Sequence, residues 1–405
     1  MILKNNPAFR YLFLGKISSV FADSVMFFSL LKWIEIQSNG TGAYTLFFVA
    51  YYLPITFFAL PIGTWIENKT LQKVMVYSNV LRITVIAVFI ILLPLISYQW
   101  AYLLLIMLSI LGLFFMPANQ SLLPHVVKIA ERPTANSFLH VGLTAVKICG
   151  QIFTALMIKL SIQPILLLLM SATLLFLSFI FINQIKPLIK QERKEKQRPF
   201  TLMSEGIKYI IHHPQLKALF SFLALAIFFI SSVDLILINF LTEGLLVGVE
   251  NLSFIGTASL IGIAIGAAIA PRWYRQVERK WLIIAPQFAL SISIGCLFFI
   301  SNWLQILPLF FMQGIAVGCY NVTIITYLQD TVSSENYTRT FSLFNMISSS
   351  MALPGVLLIG VLLSKVGVLN TIISFSGILF IIGISGIFVF PRLGKGYSKD
   401  YIQAS

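Results

Sequence analysis

The chain has 405 residues, of which 58% are hydrophobic and only 10% charged, and its mean hydropathy is +0.91. Such a composition cannot clothe a water-facing surface, so an ordinary soluble domain is excluded. The net charge of +14 does not mark a nucleic-acid partner, because the Lys and Arg residues are spread between apolar runs and form no single patch.

Taken in chain order, apolar runs long enough to cross a bilayer, about 20 residues each, begin near Tyr11, Gly42, Val74, Gln99, Ala135 and Pro164, and again near Lys217, Leu252, Trp281, Trp303, Thr340 and Val368. The expected fold is an all-α membrane protein of twelve transmembrane helices in two six-helix halves. A short charged tail, Lys4 to Arg10, leads into the first run with no small-residue cleavage pattern, so that run is read as an uncleaved helix. The N-tail and the even-numbered connections hold Arg10, Lys69, Lys73, Lys128, Arg132, Arg272, Arg275, Arg279, Lys280 and Arg339, and the C-tail adds Arg392, Lys395 and Lys399. The odd-numbered connections carry Glu35, Glu243 and Glu250 beside Lys32, Lys159 and Lys365. The positive-inside rule therefore places both termini in the cytoplasm, and the protein in the plasma membrane. The longest polar stretch sits midway and is basic, as a cytoplasmic linker near anionic headgroups would be. The expected organisation is a first half at 1–184, a linker at 185–216, a second half at 217–391 and a tail at 392–405.

Several blocks are more specific: Asn6-x-x-Phe9-Arg10-x-Leu12 leading to Asp23, Leu60-Pro61-x-Gly63-x-x-x-Glu67, Phe115-x-Pro117-Ala118 with Leu123-Pro124 and Ala135-Asn136, and Gln329-x-x-Val332 with Arg339-x-Phe341-Ser342. In these the chain resembles the major facilitator superfamily, in particular a drug-efflux branch with macrolide efflux proteins and the enterobactin exporter. The resemblance implies two parallel halves that alternate access to a central cavity, and export of an amphipathic small molecule, siderophore-like or drug-like. It also implies a gating motif at Gly63, Glu67, Lys73, Arg82, Gln329 and Arg339. The chain departs from the family pattern by lacking the arginines after Glu67 and by having Asn79 where Asp-x-x-Arg would put a carboxylate before Arg82.

Charges within the membrane are costly unless paired or hydrated, which makes each a candidate for function. Asp23 and Lys147 each lie about 12 residues into their helices and at similar depth. They are expected to form an ion pair, either coupling site or structural brace. Asp234, in the outer part of helix 7, is a second proton or cation candidate. Lys16 and Lys32 are expected to reach opposite interfaces. On helices that the resemblance puts around the cavity, Asn119, Gln120, Asn321 and Asn345 are candidate substrate contacts, and interhelical hydrogen bonding is the other reading. Gly262 and Gly266 mark a close-packing face.

Catalysis finds no footing. His125, His140, His212 and His213 have no metal-ligand spacing, the three cysteines lie in apolar runs, and no Gly-rich loop offers a phosphate cradle. The expectation is a transporter, not an enzyme, with no cofactor and no metal, whose partners are a small-molecule substrate, the lipid bilayer and a proton or other ion gradient. Import by symport, and a scaffold or sensor on the same fold, remain alternatives.

Overall fold

The computed structural model describes residues 2–38, 41–66, 69–95, 97–128, 131–185, 207–208, 210–332 and 337–390. Its described residues contain helices and no strand. The chain divides into two compact units, Met1–Thr201 with Gly248–Ser253, and Leu202–Val247 with Phe254–Ser405. Most of the expected linker and the whole expected tail lie outside the described residues.

The first unit contains α1 (Pro7–Gln37), α2 (Thr41–Ile66), α3 (Leu71–Leu92), α4 (Trp100–Val126), α5 (Arg132–Lys159) and α6 (Pro164–Asn183). Helix α1 starts earlier than hydropathy alone suggests because Asn6 caps it. The Phe9 N–H donates to the Asn6 side chain at 2.9 Å, and Pro7 takes the first helical position, where no N–H is needed. The Asn6 amide also donates to the Val126 carbonyl at 2.7 Å, tying the foot of α1 to the end of α4. Helix α1 is the central element of this unit and packs on α4, α5 and α6, while α3 packs on α4 and α6. A cytoplasmic-side core of Phe9, Leu12, Met75, Phe115, Leu122 and Ile182 fills the space among them.

In the second unit α7 runs in two pieces, Pro214–Ile230 and Val233–Asn239, with Ser231 and Ser232 between them. It is followed by α8 (Asn251–Gln276), α9 (Arg279–Cys296), α10 (Ile306–Thr331) and α11 (Tyr337–Ser350). The 38-residue element Ala352–Val389 turns at Gly367, whose φ of 78° suits a residue with no Cβ. Its part before Gly367 extends α11, and its part from Val368 onward is α12, so the twelve-helix pattern expected from hydropathy is present. Helices α8 and α10 meet backbone to backbone. A Cβ on Gly262, Gly266, Gly314 or Gly318 would land on a carbonyl oxygen of the facing helix, at Phe311, Ile315, Ser259 and Ile263 respectively. The buried Cys319 thiol donates to the Gly266 carbonyl at 3.2 Å in the same seam.

Candidate functional site

The charged residues inside the first unit lie on one side of α1. Lys16, Ser19 and Asp23 are spaced i, i+3 and i+7, so they share a face. Arg82 reaches that face from the middle of α3. Its guanidinium forms an ion pair with the Asp23 carboxylate and donates a hydrogen bond to the Ser19 hydroxyl at 3.3 Å. Asp23 is thus paired with Arg82 and not, as expected, with Lys147. Equal depth fixed only the height of the Asp23 and Lys147 side chains, and their helices turn them toward different neighbours. Arg82, which the resemblance counts in the gating motif, lies buried in the middle of α3. The pair is lopsided, since the Asp23 side chain is 42% exposed and that of Arg82 only 2%. A proton can reach the carboxylate, while the cation has no other compensating charge among the described residues.

Below this pair, Asn79 replaces the expected carboxylate with a hydrogen-bond relay. Its amide donates to the Ser178 hydroxyl at 2.9 Å, which in turn donates to the Gly15 carbonyl at 2.6 Å. The two bonds join α3, α6 and α1. Gly15 is required there because a Cβ would press on Ile182.

Lys16 does not reach an interface. It is 4% exposed, and no carboxylate or hydrogen-bond acceptor partners it among the described residues. Lys147 lies on an exposed shoulder of α5, also without an ion pair among the described residues. Above Asp23, one helical turn outward, Phe27 opens an aromatic cluster. Its ring meets Phe47 at 5.0 Å and Tyr51 at 5.4 Å, both edge to face, and Tyr51 meets Tyr52 at 5.1 Å.

Lys32, at the outer end of α1, is held in ion pairs there. Its ammonium lies 2.6 Å from Glu35 and donates to Glu250 at 2.9 Å, while Glu35 accepts the buried Val249 N–H at 2.9 Å. These contacts hold the short segment Gly248–Ser253 on α1.

The other sequence-selected residues are dispersed. Asn119 is wholly buried, and neither its Nδ2 nor its Oδ1 has a hydrogen-bond partner among the described residues; Gln120 beside it is exposed. Asn321 is exposed on α10, and Asp234 is exposed in the first turn after the break in α7, with no ion pair among the described residues. Gly63 lies near the end of α2, and Lys73 lines a cleft of roughly 450 Å³ with Gln72, Tyr77 and Asn183. Glu67 lies outside the described residues, as do the side chains of Gln329, Arg339 and Asn345. Lys16, Ser19, Phe27 and Ser178 belong to the site, although sequence reasoning does not select them as site residues. The signal available in sequence is the i, i+3, i+7, i+11 stripe of Lys16, Ser19, Asp23 and Phe27 along helix 1.

Eleven membrane-length spans among the described residues, the last of them divided at Gly367, with a charged and partly exposed cluster inside the first unit, define a polytopic α-helical transporter. Comparison with known proteins gives the family: the model of the Major Facilitator Superfamily matches residues 12–246 and 229–400, and the chain belongs to that superfamily. It is a multi-pass protein of the plasma membrane. It is 24% identical, over 98% of its own length and 95% of the relative's, to the uncharacterized MFS-type transporter YvqJ of Bacillus subtilis (strain 168). Among solved structures it resembles a point mutant of the nucleoside transporter NupG, with a TM-score of 0.77 at 12% identity, covering 95% of this chain and 100% of that one. It also resembles a bacterial homologue of the human lysosomal transporter Spinster, with a TM-score of 0.71 at 13% identity and coverage of 96% and 98%. A point mutant of the peptide transporter POT in complex with alafosfalin gives 0.71 at 14%, covering 96% and 95%. At these identities the structural likeness is one of fold.

Proposed function

We propose that this transporter exports an amphipathic small molecule, siderophore-like or macrolide-like, by alternating access of two halves at 1–184 and 217–391, with proton coupling. The observation that carries the reading is the graded face of α1. Lys16, Asp23 and Phe27 follow one another along it, so a ligand lying there meets charge at one end and aromatic rings at the other. Asp23 is the proton-coupling group. Its protonation removes the counter-charge from Arg82 and gives the site a different charge in each state. Asp234 is a second proton or cation site. Gln120 and Asn321, exposed on α4 and α10, are proposed substrate contacts together with Asn119 and Asn345. Gly63, Glu67, Lys73, Gln329 and Arg339 serve gating at the cytoplasmic ends.

The test is flux in oriented proteoliposomes with erythromycin and dihydroxybenzoate as cargo. Export predicts accumulation in inside-out vesicles when their lumen is acid, and loss of the pH-driven component in Asp23→Asn with residual downhill flux. Accumulation only in right-side-out vesicles would replace export with import, to which the nucleoside- and peptide-transporter names of the fold neighbours lend a second substrate class. A chain with neither flux nor ligand-induced thermal shift would be a scaffold.

A further inference from the structure

Helix α5 runs alongside α1 in the same direction. A Cβ at Gly142 would press on the Phe13 ring, and one at Gly150, about two turns further along α5, would press on Ser24, about three turns beyond Phe13 on α1. Lys147, between these two glycines, is therefore level with the stretch of α1 that follows Lys16. No carboxylate of the described residues pairs with either lysine, and the one acid at this level, Asp23, is already taken by Arg82. Lys16, Lys147 and Arg82 are three cations to the single carboxylate of Asp23, which pairs with Arg82, so two positive charges are left over. A lysine that is only 4% exposed, beside a second lysine, is costly in a low-dielectric interior unless an anion joins it. Two ammonium groups are also point charges with three donors each, suited to an oxyanion held between them.

We propose that Lys16 and Lys147 form the seat for an oxyanion, the carboxylate or catecholate group of the transported amphiphile, whose apolar body extends along α1 toward Phe27 and Tyr51. This rests on the transport reading above and deepens it by giving the cargo a negative charge. Lys16 holds the anion from within the helix packing, and Lys147, on its exposed shoulder, meets it on entry. The Asp23–Arg82 pair lies about two turns beyond Lys16 along α1 and sets the far limit of the seat.

An anionic phospholipid headgroup has the same oxyanion chemistry, so the experiment separates the two sources. Full-length protein in phosphatidylcholine nanodiscs is titrated with naphthoate and with its neutral isostere naphthamide. Binding is read by calorimetry and by thermal shift, in wild type and in Lys16→Met, Lys147→Met and Lys147→Arg. Met keeps the apolar stem of lysine, so the variants are expected to fold, and their thermal midpoint without ligand checks it. The expected result is saturable binding of naphthoate and none of naphthamide, a loss of about tenfold or more in affinity in each Met variant, and retention in Lys147→Arg.

Equal binding of the amide, or undiminished naphthoate affinity in both Met variants, overturns the seat. So does stabilisation of the wild type over the Met variants by phosphatidylglycerol nanodiscs with no naphthoate binding, which assigns the lysines to a lipid. The two readings fail separately. Lysine-dependent naphthoate binding without flux leaves the seat and removes transport, whereas proton-driven flux of dihydroxybenzoate unaffected by both Met substitutions leaves transport and removes the seat.

Discussion

In the first unit the helices meet through polar side chains, while in the second the tightest contact is made by bare backbone. Helices α1, α3 and α6 are joined by Asp23–Arg82, Arg82–Ser19, Asn79–Ser178 and Ser178–Gly15. Helices α8 and α10 are joined by four glycines and a thiol, with one side-chain hydrogen bond beside them, from the Ser259 hydroxyl to the Gln313 side-chain oxygen at 3.3 Å. A glycine seam gains its energy from close van der Waals approach, varies little with proton or ligand, and tolerates no added volume. A charged seam carries a desolvation cost that changes whenever a proton or an anion arrives. The difference locates the responsive chemistry in the first unit and a rigid backing in the α8–α10 pair.

The largest effects should come from violating each seam in its own terms. Gly266→Leu places a side chain where the Ile315 carbonyl already stands, and backbone on both sides cannot yield. We expect destabilisation of about 3 kcal/mol or more, seen as loss of the monodisperse peak after detergent extraction. A well-behaved Gly266→Leu protein would show that the α8–α10 seam is looser than described. Asp23→Asn leaves the buried Arg82 without its counter-charge and should cost about 3 kcal/mol in thermal unfolding. The double variant Asp23→Asn with Arg82→Met should recover most of that loss, because it removes the orphaned cation. If the double variant is no more stable than the single one, the pair is not what holds α1 to α3.

How much of this the sequence discloses follows from what hydropathy measures. It reports depth, so the helices and their order are legible, and so are the mid-membrane positions of Asp23 and Lys147. It does not report azimuth, and pairing is decided by azimuth. Depth alone therefore assigns Asp23 to Lys147, although Ser19 four residues before it and Asn79 three before Arg82 already mark the facing polar edges of α1 and α3. Distance from the helix start alone places Lys16 at an interface, whereas its burial depends on three neighbouring helices that no local pattern specifies. The break in α7 is hidden as well, because Ser231 and Ser232 are compatible with a helix. Hydrogen bonds from the Ser231 hydroxyl to the carbonyls of Phe228 and Ala352, at 3.1 and 3.3 Å, accompany the break. By contrast, the Gly262 and Gly266 seam is readable, since small residues four apart have few other uses in a membrane helix.

A smaller effect, of opposite sign, is expected at Asn119. Both polar atoms of its side chain are buried without a partner among the described residues, so an apolar residue of similar volume relieves a cost. Asn119→Leu should stabilise the first unit by about 1 kcal/mol, read as a higher thermal midpoint. The same variant tests the comparison between units. Raised stability with unchanged flux makes Asn119 a packing residue, whereas raised stability with lost flux means that its unmet hydrogen bonds are reserved for cargo or for another state of the site.

The smallest effect belongs to the outer cluster of Lys32, Glu35 and Glu250, which is polar like the centre of the first unit but shares one cation between two carboxylates. The Lys32 and Glu250 side chains are 20% and 13% exposed, and Lys32 keeps Glu35 when Glu250 is neutralised. Glu250→Gln should therefore cost no more than about 1 kcal/mol, and less as salt is raised. Glu35 has a second duty, because it accepts the N–H of Val249, a residue that is fully buried and needs that acceptor. Hydrogen exchange at the Val249 amide should consequently rise more in Glu35→Gln than in Glu250→Gln, since the neutral amide is a weaker acceptor than the carboxylate. Equal and unaltered exchange in both variants would show that Gly248–Ser253 is held by its apolar contacts. The polar style of the first unit would then stop at its membrane-embedded centre.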